Sequence, residues 1–242
     1  MKSGNPALSS NTFDGLSSAD EPMTLSGTIN KTAMLLAIVF IGAAWVWNIY
    51  FTSHNMSDVT PYLLAGSIGG FAVALITIFN KAASPYTTPV YALLEGFVLG
   101  ALSALFEVKY PGIAIQAVGL TFGTLLCMLM AYRSGLIKVT ENFKMGVIAA
   151  TGGIAVLYLI DMVLMFFGKP ISFIHEGGFM GIAFSLFVVC IAALNLVMDF
   201  DFIRQGVANK SPKYMEWYSA FGLLVTLVWL YLEILRLLAK RK

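Results

Sequence analysis

"AFSLFVVCIAALNLVMDFDFIRQG", residues 183–206, decides what kind of protein this is. No charged residue stands between Glu176 and Asp199. A run of that length is apolar on every side, which a helix in water does not tolerate and a helix in lipid requires. A hydrocarbon core about 30 Å thick needs roughly 20 apolar residues per helical crossing. Stretches of this kind recur near 32–51, 62–80, 89–107, 113–132, 144–167, 178–200 and 217–238. Backbone polar groups in lipid must be satisfied within the element, so these stretches are expected as helices, and no alternating barrel pattern competes with them.

Composition agrees. Of 242 residues, 58% are hydrophobic and 12% charged, with mean hydropathy +0.81. Soluble domains carry about 25% charged residues. The chain therefore reads as an all-α polytopic membrane protein: one seven-helix domain over 31–242 behind a disordered polar tail, 1–30. The first apolar run is long for a signal peptide and lacks a clear cleavage site, so it is expected to stay as a span. A net charge of +2 gives no reason to expect a nucleic-acid partner; the partner the composition demands is the lipid bilayer. Cys127 and Cys190 match no metal or disulfide spacing. His54 and His175 stand alone near span ends, so neither a metal nor another cofactor is expected.

Seven crossings place alternate loops on opposite sides. Lys81, Arg133, Lys138, Lys144, Arg204, Lys210 and Lys213 fall on the N-terminal side, against Lys109 and Lys169 on the other. The positive-inside rule then puts the N-terminus in the cytoplasm. Arg236, Lys240, Arg241 and Lys242 strain this assignment, because a full seventh crossing carries them outside. The last stretch is long enough to span, and spanning is favoured over re-entry. The pairs Gly66/Gly70, Gly96/Gly100 and Gly177/Gly181 have the spacing that lets helix backbones approach closely in lipid.

An ionised carboxylate in hydrocarbon costs at least about 2.5–3.5 kcal/mol, so each acid in a span calls for an explanation. Asp199 and Asp201 lie about 200° apart around a helix and cannot both face one pore. Arg204 and Gln205 follow Asp201 at the neighbour spacings i+3 and i+4, which makes Asp201 half of a local ion pair at the cytoplasmic mouth. Asp199 has no such neighbour, and is the acid expected to act. Depth suggests that Glu95 shares its layer, while Asp161 and Glu233 lie toward the outer half. Glu233 also has Arg236 at i+3, and a local ion pair is its plain structural role. Glu107 and Glu216, at span ends, are expected to be solvated. Two layers of buried acid around an apolar middle suggest a gated cation route, with Asn195 and Thr226 as polar steps.

Several quoted stretches resemble the Bax inhibitor family of membrane proteins. The sixth span ends in an aliphatic-Asp-X-X-X-Ile pattern, Met198 to Ile203, and the seventh in "YLEILRLL", 231–238. "YALLEGFVLGALSALFE", 91–107, and the "NPAL…TF" tail, 5–13, are similar to its bacterial inner-membrane branch. The resemblance implies a seven-helix fold with the last helix near the centre. It also implies a pH-sensitive calcium leak governed by aspartates on helices six and seven. Asp199 matches the first aspartate. Thr226 stands where the second would be, and the seventh span contains no Asp. The function expected is a Ca²⁺ or H⁺ leak gated by protonation at Asp199. The alternative is a non-conducting regulatory protein working through a partner such as a membrane-bound quality-control protease. An enzyme is not expected: no catalytic Ser-His pair, metal-ligand cluster or Gly-X-Gly-Asp motif is present.

Overall fold

In a computed structural model, which describes residues 21–241, the seven apolar stretches are seven long helices. They are α1 (Leu25–Ser53), α2 (Met56–Phe79), α3 (Ser84–Lys109), α4 (Ile113–Arg133), α5 (Glu141–Phe166), α7 (Phe179–Ala208) and α8 (Met215–Lys240). A four-residue helix, α6 (Ser172–His175), interrupts the link before α7, and a 3-10 turn, Lys81–Ala83, leads into α3. No strand occurs among the described residues, so the fold is an all-α polytopic membrane bundle.

Helix ends fall where the sequence supplies caps. Thr24 and Asn55 accept hydrogen bonds from Gly27 N and Ser57 N at the starts of α1 and α2, and Thr140 accepts from Phe143 N at the start of α5. Each satisfies an amide that the first helical turn leaves without a partner. Glu107, expected in water, instead reaches over the tight link between α3 and α4 and accepts from Gly112 N at 2.6 Å and Ala114 N at 3.0 Å.

The bundle is built around its last helix. α8 is buried along nearly its whole length and packs against α1, α3, α4 and α7. It is one unbroken helix to Lys240, which favours spanning over re-entry and leaves its basic end on the side opposite the N-terminal end of α1. α5, by contrast, packs chiefly on α7 and turns most of its surface outward.

Two of the three glycine pairs work as helix contacts. A Cβ on Gly96 of α3 would lie 2.6 Å from the Val39 carbonyl oxygen of α1, and one on Gly66 of α2 would lie 2.6 Å from that of Leu94. Gly177 and Gly181 do otherwise: Gly177 makes room for the Lys240 carbonyl at the end of α8, and Gly181 for the carbonyls of Phe173 in α6 and Glu176 in the link before α7. Backbone cannot retreat as a side chain can, so Gly96→Val should cost at least about 1–3 kcal/mol. Gly119→Val, at an α4 position with nothing within 4 Å, should be nearly neutral in the same thermal-unfolding series.

The expected polar tail ends earlier than residue 30. Met23 is buried, its N–H donates to the Ser211 carbonyl at 2.7 Å, and Pro22 bridges to Pro212. Helix α1 follows at once because Thr24 caps it. Residues 1–20, including the "NPAL…TF" segment, lie outside the described residues.

Candidate functional site

Asp199 sits on α7 and is 1% exposed. Neither carboxyl oxygen has a partner at hydrogen-bond geometry among the described residues, and no ion pair reaches it there. The polar group that faces it is the Thr226 hydroxyl of α8, which also donates a long 3.3 Å bond to the Gly222 carbonyl of its own helix. Thr226 thus lies across from Asp199.

Asp201 is held down, as its spacing predicts. Arg204 reaches it at 3.3 Å, and Gln205 donates to its other oxygen. Two partners come from other helices: the Tyr132 hydroxyl of α4 at 3.1 Å and the Lys144 ammonium of α5 at 3.8 Å. The Arg204 guanidinium also lies 5.6 Å from the centre of the Tyr132 ring. Asp201 therefore ties α4, α5 and α7 together at the N-terminal side and faces away from Asp199.

Glu95 does not join the Asp199 layer. Its carboxylate is hydrogen-bonded to Tyr91 one turn earlier and faces Gly70 of α2. Tyr91 in turn packs edge-on against Phe221 of α8, with ring centres 4.9 Å apart. α8 packs against both α3 and α7, which share no substantial interface with each other. Residue counting says nothing of position around the bundle, and that is where the expected pairing fails.

One turn from Asp199 on α7, Asn195 donates to the Thr151 hydroxyl of α5 at 2.9 Å and to the Ile191 carbonyl at 2.9 Å. Its own amide oxygen is buried without a partner among the described residues. Beyond it Ile154, Val188 and Ile191 form an apolar layer, with Trp229 of α8 packed against it. On the far side of that layer the second group of acids begins. Glu233, 2% exposed, accepts from the Tyr158 hydroxyl at 2.9 Å and from Arg236 at 2.9 and 3.1 Å. The ion pair at i+3 was legible; Tyr158, from α5, was not.

Asp161 accepts from Ile171 N at 2.8 Å and meets His175 Nε2 at 2.7 Å, so the histidine expected to stand alone closes the α5–α6 turn. Lys240 donates to the Gly181 carbonyl at 3.1 Å and to Ser185 Oγ at 2.9 Å. The basic end of α8 is thus bound into its own side of the bundle. Glu216 reverses another expectation. It is fully buried, accepts from Thr24 N at 2.8 Å and Thr24 Oγ1 at 2.9 Å, and pairs with Lys31.

Of the buried acids, Asp161, Asp201, Glu216 and Glu233 each have a cationic partner, and among the described residues Asp199 is met by no cation and faces only the Thr226 hydroxyl. Searches of curated proteins and of solved structures each returned no match. The family model described as Bax inhibitor 1 like matches residues 5–242, nearly the whole sequence. With seven membrane-length helices in one bundle, and that match spanning them all, the chain belongs to the Bax inhibitor 1 like family.

Proposed function

We propose that this protein is a pH-sensitive cation leak, for Ca²⁺ or H⁺, in which Asp199 is the gating group. The observation that carries this reading is the state of Asp199: a carboxyl 1% exposed, met by no cation among the described residues, with the Thr226 hydroxyl as the polar group that faces it. A buried acid so placed either holds a proton or receives a cation with its water. Thr226 and the free oxygen of Asn195, one helical turn away, supply further oxygen ligands of the kind Ca²⁺ prefers.

The route runs between α5, α7 and α8. It passes from the Asp199–Thr226 layer to Asn195 and Thr151, is closed by Ile154, Val188, Ile191 and Trp229, and continues to Tyr158, Glu233 and Arg236. Arg204, beside Asp201, stands at its cytoplasmic mouth. An N-terminus in the cytoplasm and residence in a bacterial inner membrane complete the reading, since the lysine and arginine bias of the loops favours that orientation.

The test is Ca²⁺ flux into proteoliposomes as external pH is stepped across neutrality. The parent should show flux that varies with pH, and Asp199→Asn, which cannot exchange a proton, should give a response that no longer does. A flat trace from correctly folded parent protein would sink conduction and leave a non-conducting regulatory role.

A further inference from the structure

We infer that the cleft between α1 and α4 is a binding site for one acyl chain of a membrane lipid, drawn from the leaflet on the side away from the N-terminus. The cleft has a volume of about 570 Å³, is walled by α1, α3 and α4, and has α8 as its floor. Small residues line it, Ala43 and Ala44 on α1 and Ala114 on α4, while Gly100 of α3 lets α1 approach, since a Cβ there would lie 2.5 Å from the Ala43 carbonyl oxygen. Across it α1 and α4 face each other through Phe40 and Phe122, stacked with ring centres 6.1 Å apart.

Its interior asks for nothing polar. Ser103 and Tyr231 satisfy each other at 2.6 Å, and the Thr121 hydroxyl donates to the Ala117 carbonyl at 2.8 Å. Water has no partners there, and a headgroup has none either. Asn48 is the polar exception, near the end of α1 where the cleft approaches the membrane surface.

Size and depth select the occupant. The α1 wall runs from Leu36 to Asn48, about 18 Å at 1.5 Å per residue, against roughly 15 Å for half of a 30 Å hydrocarbon core. On α4 the wall starts at Ala114, the second residue of the helix, and stops at Phe122, so the cleft occupies one leaflet. A dry cavity of about 150 Å³ takes the six carbons of benzene. By that measure 570 Å³ holds about 20 carbons, which is one acyl chain and not two.

The site stands independently of ion conduction. It can be tested with full-length protein in vesicles of a phosphatidylcholine that carries a photoactivatable diazirine midway along one chain. On irradiation, adducts should concentrate on 36–48 and 114–122, above the level on the outward-facing Ile68 and Phe71 of α2. Ala44→Phe combined with Val118→Phe fills the cleft and should lower the adducts there about tenfold, leaving those on α2 unchanged. Leu126→Phe, on the outward surface of α4, should change nothing. If the double variant does not fold, Ala44→Phe alone, at an exposed position, carries the comparison. Adducts spread evenly over all lipid-facing residues, or cleft adducts that survive the filling substitutions, would overturn the assignment.

Discussion

Asp199→Val should melt at a higher temperature than the parent while losing its pH-dependent flux. Valine is close to aspartate in volume, so the substitution exchanges a polar group for an apolar one without opening a cavity. A buried polar group left without its hydrogen bonds costs about 1–3 kcal/mol, and replacement by an apolar group of similar shape removes that cost. Asp199 is near that condition: among the described residues no cation meets it, and the Thr226 hydroxyl is the polar group that faces it. The neighbours favour the change, since Leu196, Phe200 and Ile203 of α7 belong to the main apolar core with Leu223 and Leu227 of α8. Thermal unfolding in detergent, with flux measured on the same preparations, makes the comparison. A variant less stable than the parent would mean that Asp199 is satisfied by a group the static arrangement does not display, and its role would then be structural.

Glu216→Ala should have the opposite result and the largest loss of stability in the molecule. Glu216 is as deeply buried as Asp199, yet it accepts two bonds from Thr24 and pairs with Lys31, whose side chain is itself only 17% exposed. Removing one partner of a buried pair strands the other, which costs about 3–5 kcal/mol. The fit is close enough that a Cβ on Gly27 would collide with the carboxylate, so Gly27→Ala should reproduce part of the loss. Lys213 is a natural control. It lies 3.7 Å from Glu216 with half of its side chain in water, and Lys213→Ala should cost less than about 1 kcal/mol. Denaturation midpoints for the three variants test the ranking; a Glu216→Ala protein within the range of Lys213→Ala would contradict it.

These two acids also mark how far the sequence could be read. Apolar runs announced all seven spans, because lipid imposes a length and a composition that do not depend on neighbours. Ion pairs three residues apart, Asp201 with Arg204 and Glu233 with Arg236, were legible for the same local reason. Partners contributed by another helix were not. Tyr132 and Lys144 at Asp201, and Tyr158 at Glu233, depend on how helices are rotated and arranged around α8. Glu95 failed for that reason too: its depth suggested Asp199, but its direction is toward α2. Glu216 was misplaced because proximity to a helix end suggests water, and nothing local says that the start of α1 folds over it. His175 was likewise invisible as a partner, since the turn that carries it to Asp161 contains no signal but its length.

The clasp between Thr24 and Glu216 joins residues 192 positions apart. During synthesis, the first helix to enter the membrane must wait for the last hairpin to be made before its own starting turn is secured. Contacts so distant in sequence are slow to form, because the whole intervening chain must be in place first. A nascent chain arrested anywhere before residue 216 therefore holds α1 without its fastening, however many helices have already crossed. The contact that fastens α1 thus closes the bundle between its first and last described helices.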